Sequence, residues 1–285
     1  MSRSKRHHHV PQALQKYFCN TNRRIWYAKR VSLADQFSKI EERNTDSAFQ
    51  QRNFYTVLSD LDEPSDDVER KFYGVVDDQV GKTLAEVVPS VAEGYAPQFR
   101  GQALESFKHL VLALHRRSVD LTQKHDELQI GQSIIENTVA DASDKLGLNR
   151  VDAMRVLRFP DAKQLGRNTR VRAQTASPDL LLEALSDYQV ATIVADGKSS
   201  FILGSRIVYR ISNGTNDPLG SRNVELWFPV TPKCCLVLHA LGKVVAKPII
   251  WPAAKVREIN EYIFQNCHEV GSHSDKLLFS LLTRR

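Results

Sequence analysis

The sequence has few cysteines and no long run of apolar residues. Its 285 residues include only four cysteines, and Cys234 and Cys235 are adjacent, so in a strand they would point to opposite faces. We interpret the cysteines as unpaired thiols in a reducing compartment rather than as metal ligands. No stretch approaches the roughly 20 apolar residues that span a bilayer, and the basic N-terminus has no apolar segment typical of a secretory signal. We therefore expect a cytoplasmic protein with no membrane partner.

The motifs of several large enzyme classes are missing. The sequence has no GxxxxGK(S/T) phosphate loop, no GxGxxG, no HExxH and no nucleophile elbow around Gly204 and Ser205. These absences argue against kinases, dinucleotide-dependent dehydrogenases and α/β-hydrolases. A divalent metal is compatible with histidine and carboxylate ligands, but no recognised motif supports a metal site, and any cofactor is unknown.

Acidic residues are missing from the start of the chain. Residues 1–30 contain eight lysines and arginines and no aspartate or glutamate, in a chain of net charge +6. A second basic segment, residues 150–172, has seven basic residues against two aspartates. Such segments attract nucleic acid or another phosphate-bearing ligand, although a solvated surface is the commoner meaning of a charge run. Both interpretations stay open.

The most informative motif that is present is Arg6-His7-His8-His9-Val10-Pro11-Gln12. Pro11 fixes its own φ and disfavours helical geometry at Val10, so we predict an extended arm. Successive side chains of an extended segment point to opposite faces, so at most His7 and His9 share a face. The imidazoles of this arm can bind an anion, a metal ion or a proton.

The first half of the chain has mainly helical patterns. We predict helices from apolar residues at helical spacing and from acidic residues in a first turn. The predicted elements are a helix at 12–18, a strand at 24–28, and helices at about 65–89, 97–121 and 126–158. Pro89 is expected to end the first of the long helices.

The second half has mainly strand patterns. Enrichment in β-branched and aromatic residues indicates strands, and two apolar stripes indicate helices. The predicted strands cover 188–195, 200–203, 207–211, 224–230 and 234–239, and the predicted helices cover 255–267 and 274–282. Asp196-Gly197 is a strong hairpin signal, which predicts that the first two of these strands pair.

Segregated helices and strands predict an α+β fold. We expect a helical N-terminal half preceded by a basic arm, and an antiparallel sheet in the C-terminal half with flanking terminal helices. The composition shifts near Pro160. The chain therefore consists of two regions, residues 1–160 and 161–285, or of one single domain.

Several segments resemble, in order, those of a known family. The Arg6–Gln12 motif resembles the HHYVPQ signature that opens bacterial domain-of-unknown-function family 4238. Further segments similar to that family follow in the same order: Arg24-Ile25-Trp26-Tyr27, Asn53-Phe54-Tyr55, Val76-Asp77, His115-Arg116-Arg117-Ser118, Phe201–Val208, Phe228–Pro232 and Asn260. The likeness covers most of the chain, but it implies no particular reaction.

The sequence departs from that family at three places. His9 stands where the family has an aromatic residue after its second histidine, and residues 11–15 read PQALQ instead of PQFYL. The Ser-Asp-Asn-Pro element of the family reads Gly204-Ser205-Arg206-Ile207 here, so its acidic residue is missing. If that aspartate takes part in chemistry, this member has lost it or uses another residue.

The candidate site combines the arm with the two long helices. A hydrolytic centre needs a proton acceptor near neutral pH, a group that orients it and a positive charge. We predict that the arm folds back across the helices. The candidate catalytic residues are His7, His8 or His9 as acceptor, Asp77 or Asp78 as orienting group and Arg117 as phosphate ligand. The candidate binding residues are Arg6, Gln12, Ser205 and Arg206.

Two classes of function are open. The first is a protein that acts on nucleic acid or another phosphate ester, as a histidine-dependent hydrolase or nuclease. The second is a non-catalytic binding or interaction protein, in which the arm joins the helices to the sheet. In the second case the histidines pack structurally, Asp77 forms an ion pair and Arg117 caps a helix. Whether the protein is an enzyme is left open by the sequence.

Overall fold

The computed structural model describes residues 6–31, 36–58, 63–122, 126–159, 161–212, 217–240 and 246–283. The basic Arg3 and Lys5 and the boundary residue Pro160 lie outside them. The helices are α1 (Gln12–Tyr17), α2 (Gly74–Ala92), α3 (Gln102–Arg117), α4 (Val119–Thr122), α5 (Glu127–Leu146), α6 (Arg150–Val156), α7 (Ala162–Thr175), α8 (Asp179–Ala184), α9 (Ala253–Asn266) and α10 (Asp275–Leu282). Within the described residues, none of the helices has the length and apolar content needed to cross a membrane.

Short strands occur in both halves of the chain. In chain order they are β1 (Arg6–His8), β2 (Ile25–Val31), β3 (Gln36–Phe37), β4 (Glu41–Arg43), β5 (Gln50–Arg52), β6 (Val57–Leu58), β7 (Pro64–Ser65), β8 (Gln189–Ala195), β9 (Leu203–Gly204), β10 (Tyr209–Ser212), β11 (Val224–Thr231), β12 (Cys234–His239), β13 (Ile249–Trp251) and β14 (Glu269–Ser272). Together with the helices they confirm the predicted α+β class.

The strands form two five-stranded sheets and two strand pairs. One sheet has the order β10-β11-β12-β8-β13 and is antiparallel except for the parallel pair of β8 and β13. The other has the order β3-β2-β14-β9, with β4 also on β2. Because β2 and β14 come from opposite ends of the sequence, this sheet joins the two halves of the chain. The remaining pairs are β1 with β5 and β6 with β7.

The predicted hairpin at Asp196-Gly197 is wrong. The turn itself is present, since Gly197 has a φ of +53° and the Ser199 amide donates to the Asp196 carbonyl at 3.1 Å. The chain does not return along β8, however, because β12 and β13 occupy both edges of that strand. Instead, β9 pairs with β14 in the other sheet.

The long helices of the first half begin, end or are interrupted at residues other than those predicted. A π-helical turn, Val68–Tyr73, precedes α2, and α2 continues past Pro89 by about one turn. The prediction that Pro89 ends the helix is therefore wrong: the helix continues although proline lacks the backbone N–H and crowds the preceding turn. The stretch predicted at 126–158 is interrupted at Gly147, which ends α5 with a left-handed φ of +65°. α7, which packs against α5, was not among the predicted helices.

The core consists of two clusters of buried apolar side chains. The first lies between the arm, α1, α2, α3 and one face of the β11–β12 region, and its members run from Val10 to Leu238. The second lies between the other face of that sheet, α9 and α10, and includes Trp227 and Ile263. The Trp227 side chain is buried in this second cluster.

Candidate functional site

The N-terminal arm is a strand, as predicted, and it lies against β5. His7 pairs with Gln51 in the antiparallel register, and the His9 amide donates to the Phe49 carbonyl at 3.0 Å. The side chains alternate, so that His7 and His9 are fully buried and His8 is half-buried. Of the three imidazoles, His8 is therefore the one with solvent access.

His7 is held by the segment that follows β5. Its Nδ1 accepts a hydrogen bond from the Tyr55 amide at 2.8 Å, and its ring stacks on the Tyr55 ring at a centroid distance of 5.6 Å. A nitrogen that accepts this bond cannot at the same time carry a proton. The geometry supports a structural role for His7, whereas its predicted catalytic role receives no support from these contacts.

His9 connects the arm to the C-terminal part of the chain. Its Nε2 lies 3.1 Å from Oε2 of Glu269 on β14, and Lys29 Nζ lies 3.3 Å from Oε1 of the same carboxylate. Burial opposes ionisation of Glu269, but the interaction with His9, together with Lys29, outweighs it and lowers the pKa of Glu269 to about 2. Glu269 thus stays ionised inside the protein.

Arg117 connects the arm to the helices. It is the last residue of α3, its side chain is fully buried, and it binds the Asp77 carboxylate of α2 and the His8 carbonyl oxygen. Its guanidinium also lies 4.7 Å from the centre of the Tyr73 ring. The structure thus brings the arm, Asp77 and Arg117 together, and Asp77 rather than Asp78 is the carboxylate in contact.

The predicted role of Arg117 as a phosphate ligand is not supported by this geometry. Protein groups enclose its side chain, whereas the Asp77 side chain is 34% exposed. The guanidinium acts here as a support that fixes the backbone of the arm at His8 and the carboxylate of Asp77 in the same place.

His8 lies at the solvent-accessible end of the group that it forms with Asp77 and Arg117, hereafter the His8 group. Its Nε2 is 3.3 Å from Nε2 of Gln12, which itself donates to Oδ1 of Asp46 at 2.8 Å. Burial lowers the pKa of His8, with smaller contributions in the same direction from His9 and Arg117. His8 is therefore a neutral imidazole at pH 7, the form that accepts a proton. Gln12, predicted as a binding residue, lies directly beside it.

Glu69 is a candidate site residue that the sequence analysis missed. It lies in the π-helical turn before α2, and its Oε2 is buried with no hydrogen-bond partner among the described residues. Burial raises its pKa to about 7; Arg117 opposes this increase and Asp77 adds to it. Perturbed carboxyl groups of this kind concentrate at functional sites.

The π-helical turn explains how Glu69 reaches this position. A π turn contains more residues than an α turn, so residues eight apart, such as Glu69 and Asp77, come to the same side. Tyr73, in the last position of this turn, also has a buried hydroxyl without a partner among the described residues. A sequence pattern based on the α-helical period does not detect this alignment.

Ser205 belongs to a second hydrogen-bonded group, next to β14. Its hydroxyl donates to Oδ2 of Asp120 at 2.6 Å and accepts from the amides of His268 and Glu269, both at 3.1 Å. The His268 amide also donates to Oδ1 of Asp120 at 2.7 Å. A carboxylate is thus present at the element where the sequence lacks the aspartate of the family it resembles, and Asp120 supplies it.

The two remaining binding candidates are arginines. Arg6 is exposed and lies opposite Arg52 in the β1–β5 pair, so two basic side chains flank the arm. Arg206 follows Ser205, and its Nε is buried without a partner among the described residues.

No metal-ligand cluster is found in the part of the chain that the structure describes, where no group of three or more His, Cys, Asp or Glu side chains is arranged to hold an ion.

Comparison with known proteins gives one result. A family model described as a protein of unknown function (DUF4238) matches residues 6–276. Neither the curated proteins nor the solved structures contain a match to this chain.

Proposed function

Since this chain belongs to the DUF4238 family, as its resemblance predicted, we propose a function from its own side chains: the hydrolysis of a phosphate ester, such as the backbone of a nucleic acid. The observation that carries this proposal is Oε2 of Glu69, which is buried without a hydrogen-bond partner among the described residues and lies in a π-helical turn, where its carboxyl interacts with Arg117 and Asp77. π-helical turns are frequent at functional sites, and this carboxyl holds a proton near neutral pH.

The proposed chemistry divides the proton transfers between two residues. Neutral His8 accepts a proton from a water molecule, whose oxygen forms a bond to phosphorus. The bond from phosphorus to the leaving oxygen breaks, and protonated Glu69 gives its proton to that oxygen. The pKa of His8 is lowered and that of Glu69 is raised. These changes suit His8 to the base role and Glu69 to the acid role near pH 7. Arg117 and Asp77 are positioning residues.

The basic arm supports the choice of substrate. Arg6 and Arg52 lie on the paired strands β1 and β5 that carry His8 into position. The eight basic residues among the first 30, with no acidic residue, add positive potential on the same segment. Such potential favours phosphate-bearing substrates over neutral ones.

The test is an activity assay on purified full-length protein. We expect cleavage of single-stranded or double-stranded DNA or RNA, or of 4-nitrophenyl phosphate. His8→Ala and Glu69→Gln should each reduce the rate by about 10²–10⁴-fold, the usual contribution of a general acid or base. His109→Ala, which removes an exposed imidazole of α3, is the matched control and should keep full activity.

The pH profile provides a second readout. Activity should rise as His8 loses its proton and fall above about pH 7 as Glu69 becomes ionised. In Glu69→Gln any residual activity should lose the decrease at high pH. Absence of activity in the wild type on all of these substrates, or full activity in His8→Ala, would contradict the proposal.

A second function, a binding protein with a structural arm, is favoured by the contacts of the buried residues. Gln15 is fully buried and its Nε2 donates to the Val10 carbonyl at 2.8 Å, and His7 and His9 are enclosed as described. If this role is sufficient, His8→Ala or Pro11→Ala should lower the free energy of unfolding by roughly 1–3 kcal/mol, and no wild-type activity should be found.

A further inference from the structure

A cavity of about 290 Å³ lies away from the His8 group, between the end of β8, α9 and α10. Its walls include Lys198 from the turn after β8, Arg257 from α9 and His273 from the link between β14 and α10. Ser199 and Ser274 add hydroxyl groups. The described residues that line it include these three basic side chains and no carboxylate.

The positive charges around this cavity are held in place but incompletely neutralised. Arg257 is fixed by Glu261 at 2.6 Å and by the Ser280 hydroxyl and carbonyl at 2.7 and 2.8 Å. Lys233 donates to the Gly197 carbonyl at 2.7 Å and lies close enough to His273 to affect its ionisation. Among the described residues, neither Lys198 nor Lys233 forms an ion pair.

The positive charge near the cavity affects the pKa of His273. Burial lowers the pKa of its imidazole, and the charge of Lys233 lowers it further. An anion in the cavity would remove part of this repulsion and would interact favourably with Lys198 and Arg257, which line it; Lys233 does not line the cavity and would act only through its charge. The Ser274 hydroxyl, which accepts a hydrogen bond from the Leu277 amide at 3.3 Å, can donate one to its oxygens, whereas the Ser199 hydroxyl donates to the Asp196 carbonyl.

We propose that this cavity binds a phosphate group, either free or carried by a small molecule. Lysine, arginine and hydroxyl donors from three separate segments are the side chains that recognise phosphate oxygens. The volume lies at the lower limit of pockets that enclose small molecules. It accommodates a phosphate with a small substituent and excludes a folded macromolecule. The site shares no residue with the His8 group, so it stands independently of the proposed hydrolase activity.

Isothermal titration calorimetry on the full chain tests the proposal, with inorganic phosphate and glycerol 3-phosphate as probes. We expect one site, with binding at least tenfold weaker in the double variant Lys198→Ala/His273→Ala. Lys276→Ala is the matched control, because Lys276 lies on α10 but lines a different groove, and it should bind as the wild type does. If inorganic phosphate binds, the free anion is sufficient. If glycerol 3-phosphate binds and inorganic phosphate does not, the ligand is a phosphorylated small molecule.

A second measurement keeps the test independent of the stability of the variant. In the folded wild-type protein, titration with either probe should shift the NMR signals of the His273 ring and leave those of His109 unchanged. The proposal is overturned if neither probe binds, if the double variant binds as tightly as the wild type, or if the His273 signals do not move.

Discussion

At the scale of single residues, two groups of buried charged or polar side chains meet at the N-terminal arm. His9 contacts Glu269, and Arg117 contacts Asp77 and the backbone of His8. A buried charge that loses its partner costs several kcal/mol, so these contacts fix the arm in one position. The same arrangement holds His8 in place beside Gln12.

The Glu269 carboxylate makes stability depend on pH in the acid range. Its pKa is about 2 in the folded protein, against an ordinary value of 4.5. A lowered pKa stabilises the fold above the unfolded value, and this contribution is lost as the pH falls through the folded value. Between about pH 5 and pH 2, the wild type should therefore lose on the order of 1–3 kcal/mol more than Glu269→Gln does.

Urea unfolding at a series of pH values measures this difference. Glu41→Gln serves as the control, because Glu41 is an exposed carboxylate paired with Arg43, and its curve should follow that of the wild type. Parallel pH dependences for the wild type and Glu269→Gln would show that the His9–Glu269 contact does not stabilise the fold.

At the scale of secondary-structure elements, α5 and α7 cross in close contact. A Cβ added at Gly166 would lie 1.8 Å from the carbonyl oxygen of Glu127, and one added at Gly131 would lie 1.7 Å from that of Ala162. Both obstacles are backbone atoms, which a side-chain rotation cannot move. The two helices therefore depend on glycine at both positions.

Gly166→Ala should separate α5 from α7 and lower the free energy of unfolding by at least 1–3 kcal/mol, the usual cost of overpacking. Gly81→Ala is the control, since a Cβ at this position of α2 meets no atom within 4 Å. It should be neutral or stabilising by roughly 0.5–1 kcal/mol, because alanine favours the helix. Chemical denaturation of both variants provides the comparison, and equal stabilities would rule out the close crossing.

The elements that the sequence predicts well are those with a complete local signal. The strands around Trp227 and Val237 are marked by consecutive apolar and β-branched residues, and both are present. The Asp196-Gly197 hairpin failed because the partner of a strand depends on which edges are free, and remote segments determine this. Glu69 was missed for a related reason: the π-helical turn that orients it has no signature in the local sequence.

The candidate site was predictable in part. The arm, Asp77 and Arg117 follow from the family resemblance and from extended geometry at Pro11. By contrast, Asp120 and Glu269 lie far along the chain from Ser205 and His9, and only the folded structure brings each pair together. The catalytic and binding roles stay predictions for the experiments above.

At the scale of the whole molecule, the two halves of the chain share one of the two five-stranded sheets and the core. β2 pairs with β14, so the first half supplies a central strand of a sheet that the second half completes. The first core cluster contains Leu14 and Phe107 together with Leu226. These contacts favour the single-domain alternative over a division near residue 160.

This arrangement predicts that neither half folds alone. In a fragment of residues 1–160, β2 loses β14, and in a fragment of residues 161–285, β14 loses β2 and the first cluster loses its helical side. Each fragment would expose an unpaired strand edge and a large apolar face, which favours aggregation over folding. Circular dichroism of the separate fragments should show no cooperative unfolding transition, and their NMR spectra should lack the chemical-shift dispersion of a folded protein. The full chain should unfold in one transition. A fragment that unfolds cooperatively by itself would instead establish two domains.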